Sequence, residues 1–135
     1  MLEIPIGATG IYTQKVTGSD LANQFKDITL PPVYATPMMI RAMENAALNA
    51  VREFLERGES AVGTAVDIKH LAATPVGHQI TATATVTKVD GRRIWFDVSA
   101  RDELEEIGRG THERMVIDLK RLGNRLAQKA PEPRR

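Results

Sequence analysis

The sequence predicts an α+β fold in which a curved antiparallel sheet of about five strands wraps around one long helix. Three observations carry that expectation. Residues 37–57 place apolar side chains at helical spacing between a start signal and a stop signal. Residues 78–89 and 92–100 alternate apolar and polar on either side of Asp90-Gly91, a hairpin turn signal. A sheet with one apolar face must bury it, and the helix is the only large apolar object available to cover it.

Composition narrows the class. The chain has 135 residues, enough for one domain with a real core. Eighteen basic residues stand against seventeen acidic ones, so the strongly basic face of a general nucleic-acid binder is not expected. No apolar run reaches membrane-spanning length, and the N-terminus lacks a basic region followed by an apolar one. Without cysteine, disulfides, thiolate nucleophiles and thiolate metal sites are excluded. A cytoplasmic location is expected, with a single domain over 1–135, its core at about 11–119 and a C-terminal helix and basic tail at 120–135.

The elements follow in order. Residues 11–17 alternate weakly and read as a strand. Gly18-Ser19-Asp20 breaks it, and Ser19 is placed to cap a short helix through Phe25. Leu30-Pro31-Pro32 cannot be helical and leads into the extended piece 33–35. The long helix starts at Thr36-Pro37, since threonine caps and proline loses no hydrogen bond at the first position, and it stops at Gly58. Strands follow at 62–72, 78–89, 92–100 and about 107–119. The Asp90-Gly91 turn between the second and third of these is expected to be type I′. Residues 120–129 read as a terminal helix with Leu119, Leu122 and Leu126 on one stripe, and 130–135 as a mobile tail. A single sheet leaves edges unpaired, so edge-to-edge pairing of two copies into a homodimer is expected.

Polar residues that break the apolar faces are the functional candidates. On the helix, Glu44 falls within the apolar arc, between Val51 and Leu55, where a carboxylate is costly unless paired or able to reach water. On the strand from Val62, alternation puts Val62, Thr64, Val66, Ile68, His70 and Ala72 on the apolar face, so His70 points at the core. A Glu44–His70 pair would compensate both burials and tune the imidazole. Glu44 at a solvated flank and His70 satisfied by a backbone carbonyl are the plain alternatives. Thr36 is either a helix cap or a functional hydroxyl at a helix N-terminus, with the first free donors at Met38 and Met39. Gly63 marks a bulge or a close backbone approach. His112 and Arg114 share a face of the last strand with Val116 and read as a solvated or structural pair, and His78 reads as exposed. The three histidines lack metal-ligand spacing, so no metal is expected. Neither a phosphate-binding Gly-rich loop nor a Gly-x-Ser-x-Gly elbow is present.

The stretches 33–37, Met43-Glu44, 70–77, 89–93 and 110–114 together resemble the hot-dog-fold thioesterases, specifically the fluoroacetyl-CoA thioesterase-like group. The resemblance runs from about Ile11 to Leu119. It implies a threonine at the start of the central helix, a glutamate along it and a histidine on the following strand. These fall on Thr36, Glu44 and His70 as catalytic residues. It also implies substrate contacts from Gly63 and Arg114. The sequence departs from the family at the aromatic lid before the helix, where 25–30 keeps only Phe25.

The activity so implied is hydrolysis of a short acyl-CoA thioester. His70 would serve as general base or acid, Glu44 as its orienter or as the attacking group, and Thr36 as positioner or nucleophile. No cofactor is expected, CoA being part of the substrate, with Lys69, Arg92, Arg93 or the basic C-terminal segment available to its phosphates. A non-catalytic acyl-CoA-binding module and hydration of an enoyl thioester are the alternatives.

Overall fold

The computed structural model describes residues 1–132, and of Phe25 only its backbone. Five strands form one antiparallel sheet: β1 (Thr9–Lys15), β2 (Glu59–His70), β3 (Gln79–Asp90), β4 (Arg93–Arg101) and β5 (Glu106–Asp118), in the spatial order β1-β3-β4-β5-β2. Before the main helix lie a 3₁₀ turn at Gly18–Asp20 and the short helix α1 (Ala22–Phe25). The central helix α2 spans Thr36–Val51, and α3 (Leu119–Lys129) closes the chain. This is the curved sheet around one helix that the alternation and the single apolar helix require.

The core lies between α2 and the inner face of the sheet. Met39, Ala42, Met43, Ala46, Ala47 and Val51 bury the helix arc against Ile80, Ala82, Ala84, Val86, Ile94, Phe96 and Val98. Alanine dominates one stripe because the strands pass close. At Gly10 on β1, a Cβ would run into the Ala46 carbonyl and the Ala50 amide of the helix.

Several expectations need correction. The continuous helix ends at Val51, and 52–54 tighten into a 3₁₀ turn. Phe54 and Leu55 extend the apolar spacing because they still pack on the core, not because the helix continues. Gly58, at φ +86°, serves the turn into β2 instead. Thr17, not Ser19, holds the first short turn through a reciprocal box with Asp20. The β3–β4 turn centres on Gly91 and Arg92, and only Gly91 has positive φ, at 59°. That is the type II′ pattern rather than type I′.

The bulge in β2 matters most for the site. The ladder to β5 shifts register between Gly63 and Ala65, leaving Thr64 as the extra residue. Residues directly opposite in an antiparallel pair share a face. Gly63 lies opposite Arg114, and Val66 lies opposite His112. Ala61 and Gly63 therefore share the inner face with Val66, Ile68 and His70, whereas Val62 and Thr64 leave it. Simple alternation through 62–72 puts those two inward. The extra residue reverses parity on one side of the bulge.

Candidate active site

Thr36 is the first residue of α2, and Ala35 is the N-cap, with no side-chain cap bond. The expected capping role is not the one taken. Its hydroxyl instead lies 2.8 Å from His70 Nδ1 at the end of β2. The N–H groups of Met38 and Met39 turn back onto the Ala35 carbonyl, so they are not the free donors expected there. Burial holds the His70 imidazole below its ordinary value, the Ala72 backbone acting the other way. A neutral ring can accept the Thr36 proton. The other ring nitrogen, Nε2, is buried with no hydrogen-bond partner among the described residues.

This pair opens on a cavity of about 420 Å³. Its walls are mostly apolar, from Ala22, Leu30, Val33 and Leu71, with Lys26 as a cation at the rim. The 25–30 segment thus borders the cavity through Lys26 and Leu30. Ile28 projects into solvent, at 87% exposure.

Glu44, Gly63 and Arg114 form a second cluster. Glu44 Oε2 lies 3.8 Å from Arg114 Nη1, and its side chain is 39% exposed. A Cβ on Gly63 would come within 2.8 Å of Glu44 Oε2 and 3.2 Å of His112 Cε1. Glycine at 63 is what lets the helix carboxylate and the strand backbone meet. Arg114 is buried, donating from Nη2 to the Ala61 carbonyl at 2.6 Å, and its Nε has no partner among the described residues.

Within one chain no hydrogen bond or ion pair joins Glu44 to His70 among the described residues. Thr36 and Glu44 are eight residues apart on one helix, a separation of about 12 Å along its axis. Each half is assembled; the two halves are separate. His112, read from the sequence as solvated or structural, is part of the second half, hydrogen-bonded to Arg114 at 3.2 Å. Its signal was present: two polar side chains two residues apart on an otherwise apolar strand face. His78, expected to be exposed, is half-buried.

With this geometry in view, relatives become informative. The family model for fluoroacetyl-CoA-specific thioesterases matches residues 16–120. The chain belongs to that family. It is 46% identical over 101 residues to the fluoroacetyl-CoA thioesterase of Streptantibioticus cattleyicolor, covering 75% of this chain and 73% of that one. A solved structure of a fluoroacetyl-CoA thioesterase superposes with a TM-score of 0.90 at 36% identity, covering 96% of this chain and 99% of that one. Variants of that enzyme with a threonine replaced have been solved with fluoroacetate and with acetyl-CoA. A thioesterase superfamily member from Thermus thermophilus superposes at 0.86 with 31% identity, covering 96% of this chain and 97% of that one. The hot-dog fold and membership of a thioester-hydrolase family are thereby established.

Proposed function

We propose that this thioester hydrolase cleaves a small acyl-CoA at a site built from both halves, Thr36–His70 of one copy and Glu44–Gly63–Arg114 of a second. The observation that carries the reaction is the 2.8 Å contact between Thr36 Oγ1 and a histidine kept neutral by burial, at the mouth of an apolar cavity. His70 Nδ1 takes the hydroxyl proton as Oγ1 bonds to the acyl carbon. The C–S bond breaks, and the proton passes to the departing thiolate, giving free CoA. Water then attacks the acyl-threonine, with His70 again taking the proton, releasing the acid and restoring Thr36. Arg114 and the Gly63 N–H are assigned to the carbonyl oxygen, where negative charge develops. Glu44, beside Arg114, is assigned to orient the groups facing it.

The shape of β2 supports the two-copy reading. This strand is a sheet edge, twelve residues long, with Val62 and Val66 exposed at 37% and 42%. A long apolar edge is a template for pairing with another strand. Two-fold antiparallel pairing of β2 with its copy, centred on Asp67, sets Val66 opposite Ile68 and, with Thr64 as the extra residue, Gly63 of one chain opposite His70 of the other. The substrate class is read from the family and the cavity, with fluoroacetyl-CoA and other short acyl groups as first candidates.

Thiol release from a panel of acyl-CoAs tests the assignment. The wild type should free CoA. His70→Ala should lose roughly 10² to 10⁴ in rate, as expected for a positioned proton carrier. Thr36→Ala should fall as far, with Thr36→Ser retaining more. Near-normal rates in His70→Ala and Thr36→Ala reject the site. Saturable binding without thiol release points to a binding module, and a changed acyl mass still attached to CoA points to hydration.

A further inference from the structure

We infer that His112 is a positioning residue, a neutral acceptor that fixes the Arg114 guanidinium while leaving its positive charge available to the site. This rests on the placement of Arg114 in the active site proposed above. Arg114 has a relative exposure of only 7%, so the protein interior, rather than water, sets the direction of its guanidinium, although Nε has no partner among the described residues. Nη2 donates to the Ala61 carbonyl. Nη1 meets the Glu44 carbonyl only at 3.5 Å, but it lies 3.2 Å from His112 Nε2.

A guanidinium has no acceptor, so that contact is a hydrogen bond only if Nε2 carries no proton. The proton must then sit on Nδ1, which faces the Ala65 carbonyl at 2.8 Å. That carbonyl belongs to the residue after the β2 bulge, whose extra residue, Thr64, is tied to Glu113. The ring also stacks on Phe96, with centroids 5.8 Å apart and planes at 26°. Both nitrogens and one face of His112 are thus committed. The neighbouring charges are Arg114, Glu44 and Glu113, and burial together with Arg114 disfavours the protonated ring.

The choice of residue type has a chemical reason. A carboxylate at 112 would orient Arg114 equally well, but it would also neutralise it. A neutral imidazole gives direction without charge, so the cation remains free for Glu44 and for an oxyanion. At 3% exposure the ring itself does not reach substrate.

Two substitutions separate the roles. His112→Asn keeps a donor near the Ala65 carbonyl and loses the distal acceptor. His112→Gln places an amide oxygen near the Nε2 position. His112→Asn should lower kcat roughly ten- to a hundredfold, the effect of losing one hydrogen bond to a charged group, with KM changed less. His112→Gln should recover most of that loss, and thermal melts should show both variants folded. Equal impairment of the two, or none in either, overturns the inference. Arg114→Ala marks the boundary. If it is impaired while His112→Asn is not, only this inference fails. If Arg114→Ala turns over normally, the placement of Arg114 fails and the inference goes with it. Nitrogen-15 NMR of the wild-type ring gives an independent reading at neutral pH. A neutral ring protonated at Nδ1 is expected, and a ring protonated at Nε2 contradicts the proposal even if no variant folds.

Discussion

Thr36 shows how one side chain leaves a structural role for a chemical one. Threonine before proline suits a helix cap, yet Ala35 takes that position and the Thr36 hydroxyl is turned toward His70. Half-buried His70 and buried His112 are both held below the ordinary imidazole value of 6.5, desolvation being the largest cause. The unfolded chain therefore takes up protons on these rings before the folded chain does. Their contribution to stability is fully present above pH 6.5 and is lost as pH falls through the lower folded values. Turnover should fall in the same direction, because a protonated Nδ1 cannot accept from Thr36. Melting temperature and thiol release measured from about pH 7 down to about pH 5 should both decline. His112→Gln should flatten the decline in melting temperature but leave the dependence of turnover on His70. A melting temperature that rises on acidification across that range contradicts the burial of these rings.

The elements that alternation or periodicity states plainly were legible. The β3–β4 hairpin was, because Ile80, Ala82, Ala84 and Val86 lie beside Ile94, Phe96 and Val98 on the one sheet face that the helix covers. Glu44 and His70 stood out for the same reason, as ionisable groups on apolar faces. Gly63 signalled the bulge, but its effect on parity escaped alternation, since one extra residue leaves the local pattern of 62–72 looking regular while changing which half points inward. His112 and Arg114 were legible as a pair on one strand face, but their place in the site was not, because it depends on the Ala65 and Ala61 carbonyls of another strand. Close approach of backbone to backbone was equally invisible. At Gly10, β1 crosses α2 with no room for a methyl group. Gly10→Ala should destabilise the fold by at least about 1–3 kcal/mol, the usual cost of overpacking, because rigid backbone rather than a flexible side chain would have to move. Urea unfolding should show the midpoint reduced, and an unchanged midpoint would mean that β1 does not lie this close to the helix.

For the whole molecule, the arrangement of the two half-sites follows from the topology. The helix N-terminus meets the end of β2, and the middle of the helix meets the bulge near its start, so one chain holds Thr36–His70 and Glu44–Arg114 at different places. The edge position of β2 offers a simple way to unite them, through two-fold pairing that gives each site one half from each copy. Mixing two inactive variants tests this directly. Thr36→Ala and Arg114→Ala chains are unfolded together, refolded and assayed for thiol release, with each variant refolded alone as the control. In a mixed pair, one site carries both substitutions and the other carries neither. The mixture should regain activity well above either parent, and activity no greater than the parents', from mixed dimers verified by mass, would show that each site is built within a single chain.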